Sequence, residues 1–140
     1  MKSIPKAALF LGLSGLLPFA ALGGIAVYQA PAIHPGVYSA LMAYGAIILS
    51  FLGGVRWGLA INAKSPSNLT LPLIISVTPS LIAWLSLLVR AEYGIVVLTI
   101  SFLLMMLLDF KLQSGPAWYL TLRTPLSLGV LTCLFAVLVA

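Results

Sequence analysis

Three ionisable side chains, Arg56, Asp109 and Arg123, lie inside long apolar stretches of this 140-residue chain. A charge in hydrocarbon is costly, so such residues usually pair with one another or line a polar cavity. Asp109 is the only acid among them, and it could neutralise Arg56, Arg123 or both. If it holds both arginines, one positive charge remains and could bind a lipid phosphate or another anion. The alternatives are that the pairs only lock helices together, or that the arginines extend to the membrane surface without a partner.

The spacing of these residues from aromatic residues places all three at one depth. Asp109 follows Tyr93 by about 16 residues, which is roughly 24 Å of helix at 1.5 Å per residue. Arg56 follows Tyr38 by about 18 residues, or roughly 27 Å. Arg123 lies roughly 7 Å into the last apolar stretch. We therefore expect a charged layer just inside one surface of the membrane.

A ladder of small residues recurs every four positions along the second apolar stretch. Its members are Ala46, Ser50, Gly54 and Gly58. A face of this kind lets another membrane helix approach closely, because association in lipid depends on van der Waals contact. A second small stripe comprises Gly45, Gly53 and Ala60. We expect the second helix to be central, and the Gly54–Gly58 face to pack inside the chain rather than against another copy.

Two prolines fall near the middle of predicted helices, Pro18 in the first and Pro79 in the third. Proline removes a backbone hydrogen-bond donor, and transporters use interrupted helices to bind substrate at the midplane. Nearby hydroxyl groups could complete such a midplane polar site, namely those of Ser14, Ser76 and Thr78. The simpler interpretation is that both prolines are plain kinks.

The elements that must position these residues follow from composition. Hydrophobic residues make up 62% of the chain and charged residues 6%, whereas soluble domains carry about a quarter charged residues. Five stretches approach the roughly 20 apolar residues that a membrane helix needs. They cover residues 7–28, 37–60, 69–89, 93–112 and 118–139. We predict an all-α, polytopic membrane protein, a compact bundle of five helices forming one domain over residues 1–140, with the first helix uncleaved.

Charge asymmetry predicts the orientation of the bundle. With the N-terminus in the cytoplasm, the inner side holds most of the basic residues: Lys2, Lys6, Lys64 and Lys111, with Arg56 and Arg123 nearby. The outer side then holds only Arg90, beside Glu92, and His34. Because basic residues concentrate on the cytoplasmic side, this pattern favours an N-in, C-out topology.

The chain lacks the residue sets of common catalytic and metal sites. A single histidine, His34, and a single cysteine, Cys133, cannot build a usual zinc site. Asp109 and Glu92 are predicted at opposite membrane surfaces, so they cannot act as a carboxylate pair. We predict no catalytic residue, metal or cofactor, and the chain is not expected to be an enzyme or to bind nucleic acid.

Several segments resemble a family of small bacterial membrane proteins of unknown function, related to mitochondrial transmembrane protein 69. They are residues 5–19, residues 44–58, residues 76–84 and the region of Asp109. The second-helix segment is the most specific, with matches at Ser50, Gly53, Gly54, Trp57 and Gly58. The resemblance covers most of the chain. It implies a multi-span inner-membrane protein and no particular activity.

These observations favour a non-enzymatic scaffold, assembly or helper factor of the bacterial cytoplasmic membrane, or alternatively of the mitochondrial inner membrane. One alternative is a small, oligomeric transporter or channel with a site between Pro18 and Pro79. Another is a lipid- or quinone-handling enzyme. The expected partners are the lipid bilayer, including anionic lipid, and either a membrane protein or a second copy of this chain.

Overall fold

The computed structural model describes residues 3–63, 68–112 and 115–140. They form five helices that are long and apolar enough to cross a membrane. The helices are α1 (Lys6–Gln29), α2 (Pro35–Ile61), α3 (Thr70–Leu88), α4 (Ala91–Leu112) and α5 (Ala117–Val139). The predicted all-α, five-span membrane fold is confirmed. The N-in, C-out orientation stays a prediction, and two of its basic residues, Lys2 and Lys64, lie outside the described residues.

Proline and glycine set the helix boundaries. Proline disfavours helical conformation in the residue before it, and α1 gives way to Ala30 just ahead of Pro31. Pro35 occupies the first turn of α2, where its missing N–H costs nothing, and His34 Nδ1 accepts a 3.0 Å hydrogen bond from the Gly36 amide. Before α5, Gly115 adopts a φ of 91°, which residues with a Cβ rarely adopt.

The five helices form a closed ring with one contact across it. Each helix packs against its neighbours in the chain, α5 returns to pack against α1, and α2 also contacts α4. Gly12 lies beside Leu126 and Gly23 beside Cys133, so α1 and α5 run in parallel. α2 contacts α1, α3 and α4, and α4 also contacts three helices, so the central position predicted for α2 is shared with α4. The helices α1, α2, α4 and α5 therefore surround a common space.

Aromatic rings fill the middle of that space. The Phe19 ring of α1 meets Tyr44 of α2 at 4.9 Å and Phe102 of α4 at 5.8 Å between centroids, both edge to face. Edge-to-face pairs are favourable because a ring's positive edge meets the negative face of the other. This aromatic cluster packs α1, α2 and α4 against one another near the middle of the bundle. The embedded charged residues lie nearer one end.

Candidate functional site

The three embedded charges converge on Asp109. Arg56 Nη2 lies 2.7 Å from one carboxylate oxygen of Asp109, and Arg123 Nη2 lies 3.1 Å from the other. Of the arrangements left open by the sequence, the structure shows the one in which a single acid holds both arginines. We call Arg56, Asp109 and Arg123 the charged triad.

Helix geometry places the charged triad at one end of the bundle. Arg56 lies near the C-terminal end of α2, Asp109 in the last turn of α4, and Arg123 in the second turn of α5. Helix α4 contacts both α2 and α5. Asp109 of α4 therefore lies between Arg56 of α2 and Arg123 of α5. The triad thus links α2 to the consecutive helices α4 and α5.

Burial makes this cluster electrostatically unusual. Arg56, Asp109 and Arg123 are 7%, 6% and 8% exposed, respectively. Two guanidinium groups share one carboxylate, so the cluster retains one positive charge. The Nε atoms of both arginines are buried and have no hydrogen-bond partner among the described residues. Buried charge without full compensation costs several kcal/mol, on the order of the penalty for desolvating one ion.

Next to the charged triad, an apolar cavity of about 330 Å³ lies between α1, α2 and α5. Leu11 and Leu16 of α1, Val55 of α2 and Leu126 of α5 form part of its wall. Arg123 also lines it, together with its neighbours Trp118 and Tyr119. Sequence reasoning missed this cavity, because it depends on how three separate helices splay apart.

The small-residue face of α2 at Gly54 and Gly58 does not pack against another described helix of the bundle, contrary to our expectation. A Cβ built on Gly54 or Gly58 would have no neighbour within 4 Å among the described residues, so the expected internal packing of this face is wrong. Ser50 is exposed and bonds the Ala46 carbonyl of its own helix, while Ala46 is buried. Gly54 also faces outward from the bundle.

The second small stripe makes the internal contact instead. A Cβ on Gly53 would meet the main-chain oxygen of Ser76, which shows that the backbones of α2 and α3 touch there. Gly53 and Gly54 are adjacent but differ by about 100° around the helix, because there are 3.6 residues per turn. The side of α2 on which α3 packs decides that Gly53 is covered and Gly54 is not.

The predicted midplane polar residues do not form one site. Helices α1 and α3, which carry Pro18 and Pro79, share no contact among the described residues. Their hydroxyl groups bond within their own helices: Ser14 to the Phe10 carbonyl, Ser76 to Leu73 and Thr78 to Ile74. The structure therefore does not bring these residues together.

Tyr44 is an interhelical contact that sequence reasoning missed. Its hydroxyl donates a 2.7 Å hydrogen bond to the Gly15 carbonyl of α1. That carbonyl lies in the turn before Pro18, where proline interrupts the regular helical hydrogen bonds. A tyrosine in the middle of a span, away from both membrane surfaces, was the available signal.

Comparison with known proteins places this architecture in a family. Residues 4–139 match the model of a family described as "Protein of unknown function (DUF3429)". The chain is 40% identical over 131 residues to transmembrane protein 69 of Xenopus tropicalis, covering 91% of this chain and 51% of that protein. It is 35% identical over 123 residues to transmembrane protein 69 of Mus musculus, covering 85% and 50%.

The chain thus spans about half the length of these curated relatives. No solved structure matches it. The helices and the match over nearly the whole chain show that this protein belongs to the DUF3429 family of membrane proteins, which is related to transmembrane protein 69 and has no assigned function.

Proposed function

We propose that this protein is a small, non-enzymatic membrane scaffold, and that the outward face of α2 packs against a transmembrane helix of another membrane protein. The observation that carries the proposal is that a Cβ on Gly54 or Gly58 would have no neighbour within 4 Å in the described part of the chain. We call Ser50, Gly54 and Gly58 the outer α2 face.

Glycine at these positions brings this chain no packing of its own. Each glycine in a helix interior costs about 1 kcal/mol relative to alanine. Gly53 and Gly94 offset that cost, since each allows a close approach by the backbone of a neighbouring helix. Gly54 and Gly58 gain the same compensation only when another helix approaches from outside, as small residues at GxxxG spacing permit.

The charged triad supports this role by fixing the orientation of α2. Arg56 lies two residues beyond Gly54 and points inward, where Asp109 holds it at 2.7 Å. Rotation of α2 would break that buried pair. The outer α2 face is therefore presented to lipid in a defined direction, as a docking surface requires.

The transporter alternative receives less support. A transporter site between Pro18 and Pro79 lacks the contact between α1 and α3 that it would need.

We place the scaffold in the bacterial cytoplasmic membrane, with the mitochondrial inner membrane as the alternative. We also propose that the end with the charged triad faces the cytoplasm or matrix, because Lys6 begins α1 there and Lys111 lies in the last turn of α4.

Site-specific photocrosslinking in native membranes tests the scaffold. A photoreactive amino acid at Ser50 should give a discrete adduct with one membrane protein, identified by mass. The double substitution Gly54→Leu and Gly58→Leu should abolish that adduct. Gly24→Leu is the matched control, since Gly24 also faces outward and has no neighbour within 4 Å among the described residues.

Three results would contradict the scaffold. The first is an adduct that survives the double substitution, and the second is an equal loss in Gly24→Leu. The third is crosslinking to lipid alone or to a second copy of this chain. Each variant must first be shown to match the wild-type protein in expression level and in stability in detergent. Loss of the adduct then reports loss of docking and not unfolding.

A further inference from the structure

We propose that the cavity between α1, α2 and α5 binds one hydrocarbon chain whose anionic headgroup pairs with Arg123. The ligand class is an amphiphile with a phosphate or carboxylate head. Such binding needs no protein partner, so it stands independently of the outer α2 face.

The dimensions of the cavity suit one chain. Its lining runs along α1 from Ala8 to Phe19, which is roughly 16 Å at 1.5 Å per residue. That is about half of the roughly 30 Å hydrocarbon core, or the depth of one leaflet. A volume of about 330 Å³ lies at the low end of ligand pockets, which start near 300 Å³. The space therefore suits a single chain lying parallel to the helices.

The distribution of polar groups in the wall orients the ligand. Helices α1 and α2 contribute only apolar side chains and glycine, and α4 contributes Phe102. Of the described residues in the wall, those with side chains that can donate a hydrogen bond all belong to α5: Trp118, Tyr119, Arg123 and Ser127. Trp118, Tyr119 and Arg123 lie in its first two turns. A ligand must therefore place its polar head at the end with the charged triad and its chain toward the midplane.

Charge selects an anionic head over a neutral or zwitterionic one. The charged triad keeps one uncompensated positive charge, and Arg123 pairs with Asp109 through Nη2. Its Nε has no partner among the described residues, and its side chain is 10% exposed. A small turn of the guanidinium can present the remaining N–H groups to a phosphate or carboxylate, whose geometry they match.

Two sources could supply this chemistry. A membrane phospholipid would place one of its two chains in the cavity, and a free single-chain anion would enter whole. Binding should be measured by native mass spectrometry of the full chain released from detergent, titrated with phosphatidylglycerol, phosphatidylcholine and oleate. We expect phosphatidylglycerol or oleate to bind about tenfold more tightly than phosphatidylcholine, and the tighter of the two identifies the source.

Matched variants locate the binding. Arg123→Gln should remove the anionic preference, and Asp109 then still keeps its pair with Arg56. Arg123→Lys should restore part of that preference. Val55→Trp should fill the cavity and weaken binding of either anion by about tenfold while leaving the charged triad intact. Arg90→Gln is the control, because Arg90 is an exposed cation paired with Glu92 on the segment between α3 and α4.

Trp118 provides a second readout in the same protein. The assay uses a Trp57→Phe, Trp84→Phe background, in which Trp118 is the remaining tryptophan. The tighter-binding anion, carrying a brominated hydrocarbon chain, should quench Trp118 fluorescence. In this assay Val55→Phe replaces Val55→Trp, because a new tryptophan would add its own fluorescence. Equal binding of phosphatidylcholine and the anions would overturn the proposal. Unchanged binding in both Arg123→Gln and Val55→Trp, or an equal loss in Arg90→Gln, would also overturn it.

Discussion

Arg56 Nη2 and Asp109 Oδ1 lie 2.7 Å apart in a setting where both side chains are more than nine-tenths buried. This contact joins the C-terminal ends of α2 and α4, and Asp109 extends it to α5 through Arg123. The Asp109 carboxylate therefore stabilises the packing of three helices and partly neutralises the positive charge beside the cavity.

Replacing Asp109 with asparagine should strongly destabilise the bundle. The substitution leaves two buried guanidinium groups without a counter-charge, and breaking a buried pair in this way costs about 3–5 kcal/mol. Thermal unfolding in a mild detergent should show the loss. Glu92→Gln is the control: it breaks the exposed pair with Arg90, whose side chains are 74% and 63% exposed, and exposed pairs contribute about 0–1 kcal/mol. Equal stability of the two variants would contradict our account of the triad.

Gly53 and Gly54 should respond in opposite directions to alanine. Gly53→Ala places a methyl group against the Ser76 main-chain oxygen, so α2 and α3 must separate and the protein loses stability. Gly54→Ala meets no described neighbour and should raise stability by up to about 1 kcal/mol through helix propensity. Unfolding of both variants in detergent, where no partner is bound, gives the comparison. The packing is misassigned if Gly53→Ala is the better tolerated.

Tyr44→Phe should cost about 1 kcal/mol, because it removes the hydrogen bond to Gly15 but keeps the ring against Phe19. Tyr28→Phe, at a tyrosine that is 91% exposed, should change little. Both can be measured by denaturant unfolding. A larger loss at Tyr28 than at Tyr44 would show that the hydroxyl contact with α1 is unimportant.

Membrane topology can be checked with single cysteines in a Cys133→Ser background. Ala63 follows α2 near the charged triad, and Val89 lies between α3 and α4 at the opposite end. In intact cells, a membrane-impermeant thiol reagent should label Val89→Cys and leave Ala63→Cys unlabelled until the cells are lysed. The reverse pattern would show that the end with the triad faces outward.

Much of the architecture was already contained in the sequence. Continuous apolar runs interrupted by proline, glycine and charge predict five membrane helices, because the bilayer requires about 20 apolar residues per crossing. Depth counting predicts that Arg56, Asp109 and Arg123 share one level, since the rise per residue of a helix is constant. The scarcity of acids leaves Asp109 as the one candidate to hold the arginines in that layer.

Only the tertiary structure decided which neighbour each helix face meets. Gly53 and Gly54 are equivalent as residue types, yet α3 covers the first and leaves the second facing outward. Pro18 and Pro79 lie at similar depths, yet α1 and α3 do not touch. The cavity beside Arg123 likewise depends on the separation of α1, α2 and α5. Helix rotation and neighbour order are set by contacts between distant segments, and apolar lipid leaves no hydrophobic pattern in the sequence that would reveal them.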